Sequence, residues 1–137
     1  VIIPDLPFRD YEKNYKTIAL KYDLRVIMLI TPETSEARVR EIDAHTDGFI
    51  YLVSSAATTG AQKDFDTRKQ AYFKKIEDMN LRNPRMVGFG ISNKQTFDAA
   101  CAHSSGAIIG SRFVTLLNEK EGDAEKAIRQ LKEDLKQ

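Results

Sequence analysis

Five short apolar runs punctuate the chain: Val1–Ile3, Val26–Ile30, Phe49–Val53, Met86–Phe89 and Ala107–Ile109. Each is continuous rather than alternating, the mark of strands buried on both faces of a parallel sheet. Between and after them the apolar residues recur at helical spacing. Tyr11, Tyr15, Ile18 and Tyr22 form one stripe, and Tyr72, Ile76 and Met79 another. Phe97, Ala100 and Cys101 mark a shorter helix, Phe113, Val114 and Leu117 a further one, and Val39 with Ile42 a fainter one. Ala124, Ile128, Leu131 and Leu135 make the last stripe, in an otherwise charged segment. Each stripe predicts one helical face packed on the sheet. Asp123 suits the N-cap of the last helix, and Ser92 or Asn93 that of the helix ending near Cys101.

The predicted order is strand and helix in strict alternation, five times over. Crossovers of this type are right-handed and join parallel strands. Two α/β architectures satisfy the pattern, an open doubly wound sheet and a (β/α)8 barrel. A barrel needs eight strands and roughly 250 residues. With five strands in 137 residues, this chain would supply only part of one. It opens Val1-Ile2-Ile3-Pro4-Asp5 with no initiator methionine and no basic segment before a longer apolar run. That start reads as a strand entered midway rather than as a signal peptide, and points to a natural chain that extends upstream.

Composition narrows the function classes. Hydrophobic residues make up 42% and charged residues 30%, a globular balance. With 21 basic and 20 acidic residues, the net charge of +1 gives no general pull toward nucleic acid or acidic membranes. No stretch approaches the ~20 apolar residues of a membrane span. Cys101 is the only cysteine, and His45 and His103 form no ligand cluster with it, which argues against a structural metal. The lone thiol suits a reducing cytoplasm.

In α/β folds, sites form at the C-terminal ends of parallel strands. The first strand ends in Pro4-Asp5-Leu6-Pro7, where a lone Asp is more often a turn former than a base. The third ends at Tyr51-Leu52-Val53-Ser54-Ser55, followed by Thr59-Gly60. Tyr51 could face a substrate, but a core tyrosine with a satisfied hydroxyl is the reading its own context favours. The polar stretch Thr58–Gln70 is longer than most βα connections, a length that fits a lid and an ordinary surface loop equally. The fourth strand leads through Gly88-Phe89-Gly90-Ile91-Ser92, and the fifth runs through Ile109-Gly110-Ser111 directly into a helix. Glycine there lets backbone approach a ligand, and a starting helix offers free N–H groups and a positive dipole end. Together they predict an anion site of the kind barrels build after their last two strands.

The segments IIPDLP, YLVSSAATTG, GFGIS and GAIIGS occur in that order along essentially the whole chain, and in them the sequence resembles the alpha subunit of tryptophan synthase. The resemblance implies a (β/α)8 barrel, of which the five strands are the fourth to eighth, so that residues 1–137 form the C-terminal part of one barrel domain. It implies retro-aldol cleavage of indole-3-glycerol phosphate to indole and glyceraldehyde 3-phosphate, in tryptophan biosynthesis, without a cofactor. By the same resemblance Tyr51 lines the substrate pocket and Thr59 belongs to the lid. Gly60, Gly90, Gly110 and Ser111 grip the phosphate, and Phe89 lies beside the indole. Asp5 and Pro7 fall near the interface with the beta subunit.

The family's catalytic Glu and Asp lie on its second strand and the loop after it, and no residue here matches them. The chain alone is therefore expected to be inactive, and its uncovered edges and apolar interior to favour self-association. Ser55 stands where the family commonly has Arg, and Ala56-Ala57 where it has Ser or Thr followed by Gly. These departures bear on how a lid would close. The residues also admit a phosphate-binding module without catalysis, or another phosphate-binding barrel enzyme.

Overall fold

A computed structural model describes residues 1–54, 62–88 and 90–136. Four parallel strands form one sheet: β1 (Met28–Ile30), β2 (Ile50–Val53), β3 (Arg85–Gly88) and β4 (Gly106–Ala107). Their order in space is β1-β2-β3-β4, the order of the chain. The first apolar run joins the β1 edge by a single parallel bridge, Ile2 to Ile27. Strict sequential order decides between the two predicted architectures. A doubly wound sheet reverses direction at a switch point so that helices cover both faces. Here every right-handed crossover falls on the same face, as in a barrel wall.

The two faces differ accordingly. Ile30, Leu52 and Val87 stand in one row across the sheet, and with Met28 and Ile50 they enter the core built against the helices. The helical side of that core comes from Val39 and Ile42 of α3 (Glu36–His45), from Tyr72, Phe73 and Ile76 of α4 (Gln62–Asp78), and from Ala100 of α5 (Lys94–Cys101). Ile30, Ile50, Leu52 and Val87 are fully buried, each worth about 1.5–3 kcal/mol relative to exposure. On the opposite face, Leu29, Tyr51 and Met86 form the matching row, and of these only Tyr51 is buried.

The predicted stripes on α3 and α4 pack as expected. The first helical stripe does not. The helix begins as α1 (Phe8–Asp10), passes through a π turn at Tyr11–Tyr15, and continues as α2 (Lys16–Lys21). Phe8, Tyr11 and Ala19 are buried, whereas Tyr15, Ile18 and Tyr22 are at least half exposed. The wider winding of the π turn returns Ala19 to the side of Tyr11 and rotates the other three outward. The polar stretch expected to be a loop as far as Gln70 is helical from Gln62. Two further helices close the chain, α6 (Ser111–Glu119) and α7 (Ala124–Asp134). There Leu116 and Ala127 are fully buried, while Val114 and Ile128 of the predicted stripes are exposed.

Local chemistry fixes the joints. Ser35, Asn93 and Asp123 each cap the helix that follows through a side-chain oxygen. Asp43, buried near the end of α3, accepts bonds from the backbone N–H groups of Arg82 and Asn83, both at 2.8 Å, and from the Asn83 amide. The Arg82 guanidinium donates in return to the carbonyls of Asp43 and Thr46. These bonds satisfy helix-end groups and set the loop that feeds β3. Among the described residues no helix is long and apolar enough to cross a membrane.

Candidate functional site

The C-terminal ends of β2, β3 and β4 lie side by side, and three of the residues singled out in the sequence stand there. Gly90 follows β3 with a φ of +75°, a conformation that favours glycine. A Cβ at Gly90 or at Gly110 would meet nothing within 4 Å among the described residues, so neither backbone is crowded by them. Ile108 N–H donates to the Val87 carbonyl at 2.7 Å, which ties the end of β4 to β3 just before Gly110. Ser111 then opens α6, with Gly110 as its N-cap and, among the described residues, no side-chain cap on its first turn. α3, α5 and α7 each carry a side-chain cap, whereas α6 starts with the first-turn donors and positive dipole end of a helix and no such cap among the described residues.

Tyr51 contributes from mid-strand. Its ring leans across β3, so that a Cβ at Gly88 would lie 1.9 Å from the phenol oxygen and 2.2 Å from Cζ. The absence of a side chain at Gly88 is thus what seats the ring. The hydroxyl is carried two residues along the neighbouring strand, toward the strand ends. Burial pushes its pKa above the ordinary 10.0, which keeps the phenol neutral and able to donate. The buried ring agrees with the core reading of Tyr51.

Ser54 closes the β2 end. Its N–H donates to the Gly88 carbonyl at 3.3 Å and its hydroxyl to the same oxygen at 3.0 Å. Beside it, a cavity of about 50 Å³ opens between α4 and α5, lined among others by Ser54, Gln70, Gly90, Ile91 and Thr96, with no carboxylate among the described residues. Asp5 adopts φ +58° in the turn after the first run, the turn-forming role expected of it. Thr59, Gly60 and Phe89, with the departures at Ser55–Ala57, lie outside the described residues.

Two features were not singled out from the sequence. One is Gly88, whose signal was present, since a glycine inside a strand marks close approach of another group. The other is Thr96, whose place three residues after Asn93 is the spacing of a capping box.

A sequentially ordered parallel wall with its helices on one face defines a chain of the (β/α)-barrel class. The comparisons give the particular family. The family model described as tryptophan synthase alpha chain matches residues 1–137, and the chain belongs to that family. It is 78% identical over 136 residues to the tryptophan synthase alpha chain of Bacteroides thetaiotaomicron, covering 99% of this chain and 53% of the relative. Among solved structures, tryptophan synthase subunit alpha from Campylobacter jejuni superposes with a TM-score of 0.77 at 29% identity, covering 97% of this chain and 52% of that one. A chain of the tryptophan synthase complex from Pyrococcus furiosus gives 0.75 at 26% identity, covering 98% and 52%. The chain thus spans about half the length of the curated relatives it matches, and its α/β wall is a portion of a (β/α)8 barrel.

Proposed function

We propose that this chain is the C-terminal, phosphate-holding part of a single barrel domain. In its complete form that domain cleaves indole-3-glycerol phosphate to indole and glyceraldehyde 3-phosphate in tryptophan biosynthesis. The observation that carries the reading is the start of α6 at Gly110-Ser111, with no side-chain cap among the described residues, beside the uncrowded backbone of Gly90 at the end of the adjacent strand. Backbone donors converging on one strand-end face suit a phosphate dianion. Gly60 joins that grip, Tyr51 offers a neutral phenol to the substrate, Phe89 lies against the indole, and Thr59 acts from the lid. Cleavage needs an acid to protonate the indole carbon and a base to take a hydroxyl proton. Those groups belong to the part of the barrel before Val1, and no cofactor is required. The enzyme works in the cytoplasm with a beta subunit, an assembly supported by the tryptophan synthase complex known from Pyrococcus furiosus.

The test joins this chain to the remaining half of the Bacteroides thetaiotaomicron relative and measures indole release. The joined barrel should turn over, and the 137-residue chain alone should not. In the joined barrel, Gly110→Asp should keep the fold, because a Cβ there meets nothing within 4 Å among the described residues. It should raise KM about tenfold or more by placing a carboxylate against the phosphate. An inactive wild-type barrel, or an unchanged KM in Gly110→Asp, would overturn the reading.

A further inference from the structure

The turn after β3 carries four backbone N–H groups, from Gly90 to Asn93, and they have two different fates. The N–H groups of Ser92 and Asn93 both donate to the hydroxyl oxygen of Thr96, at 3.1 and 3.2 Å. The N–H groups of Gly90 and Ile91 find no acceptor among the described residues. Thr96 sits in the first turn of α5 and lines the cavity together with Gly90 and Ile91. Its hydroxyl donates back to Asn93, with the carbonyl and the side-chain oxygen both at 3.0 Å. Asn93 separately accepts the Thr96 N–H at 2.9 Å.

The capping box accounts for two of these interactions, the Asn93 side chain on the Thr96 N–H and the Thr96 hydroxyl on the Asn93 N–H, and leaves the Ser92 N–H bond beyond it. The Asn93 side chain on the Thr96 N–H stops the helix from fraying. A hydroxyl that collects two consecutive N–H groups does something else: it fixes the rotation of both peptide planes. With Ser92 and Asn93 turned to Thr96, the preceding peptides are the ones whose N–H groups have no acceptor among the described residues. Gly90, at φ +75°, is the hinge between a strand that the sheet holds and a turn that Thr96 holds.

We infer that Thr96 is a positioning residue for phosphate: by binding the N–H groups of Ser92 and Asn93 it aims those of Gly90 and Ile91 at the ligand. This rests on the phosphate reading above and assigns a determinant of its affinity. The role belongs to ground-state binding, because the turn holds the phosphate and not the bond that breaks. Loss of the hydroxyl should therefore appear in KM and not in kcat.

The joined barrel again serves for the test, with glycerol 3-phosphate titrated by calorimetry and indole-3-glycerol phosphate cleavage followed at steady state. Thr96→Val, which keeps the shape and removes the hydroxyl, should weaken glycerol 3-phosphate binding and raise KM about tenfold, with kcat within about twofold. Thr96→Ser should restore both. Asn93→Ala removes the cap acceptor and keeps the Thr96 hydroxyl. It should lower the melting temperature yet leave the phosphate affinity within about twofold. Thr96→Val binding as tightly as wild type, or losing kcat at constant KM, would overturn the inference while leaving the phosphate site intact. Affinity lost equally in Asn93→Ala and Thr96→Val would reduce Thr96 to a helix cap. A wild-type barrel that fails to bind glycerol 3-phosphate would remove the phosphate reading and this inference with it.

Discussion

At the scale of single residues, Gly88 and Tyr51 show how a small side chain can determine the place of a large one. Tyr51 occupies the volume that any Cβ at Gly88 would need, with three ring and hydroxyl atoms within 2.4 Å of it. Gly88→Ala must push the ring out or bend β3. Overpacking of this kind costs about 1–3 kcal/mol. Tyr51→Ala removes the obstacle at its own cost, so the two substitutions should be non-additive. In denaturant unfolding of the joined barrel, the double variant should be more stable than the sum of the singles requires, by at least about 1 kcal/mol. Strict additivity would show that the ring does not rest on Gly88. Part of this was legible in the sequence: Tyr51 lies in an apolar run, and glycine interrupts the next run at Gly88. Which side of the strand Tyr51 occupies, and that its ring crosses to a neighbour, depended on a register between residues over thirty positions apart.

At the scale of elements, legibility followed periodicity. The stripes on α3 and α4 were read correctly because both helices wind regularly, and Asp123 and Asn93 were recognisable caps. The first stripe failed at the π turn, because a period of 3.6 residues was assumed across a segment that does not keep it. The N-terminal part of α4 was read as loop because residues 62–70 show no apolar stripe. Helix pairing at the C-terminus was not visible in the sequence at all. Arg112 of α6 donates through Nε and Nη2 to Asp134 of α7, at 3.2 and 2.7 Å. Hydrogen bonds from Gln130 and then Arg112 hold the Asp134 carboxyl below its ordinary 3.8. A depressed folded-state pKa adds stability above the unfolded-state value and loses it as pH falls through the folded one. Asp134→Ala should therefore lower the melting temperature at neutral pH. That deficit should shrink below pH 3.8, as wild type also loses its charge. A deficit that stays constant from neutral to acid pH would show that the ion pair contributes nothing. The carboxyl is only partly buried, so high salt should reduce the effect as well.

At the scale of the whole molecule, the distribution of exposed apolar surface is uneven. Of the ten large hydrophobic residues exposed among the described ones, eight fall within the first 24: Val1, Ile2, Ile3, Tyr15, Ile18, Leu20, Tyr22 and Leu24. They belong to the edge run that meets β1 through one bridge, to the helical segment that follows it, and to the turn after α2. An apolar patch next to an unpaired strand edge is unstable in water and templates further pairing. In a complete barrel the preceding strand and helix would cover it. In the isolated chain the available cover is a second copy of the same surface. The isolated chain should therefore self-associate at micromolar concentration in light scattering, and the joined barrel should not. Charge placed in the patch separates this cause from the other open edge at β4. Ile18→Glu with Tyr22→Lys alters two side chains that lie outside the packed core. The pair should shift the isolated chain toward monomer and leave its helical content unchanged. A wild-type chain that stays monomeric, or association unaffected by those two charges, would show that this face is not what drives assembly.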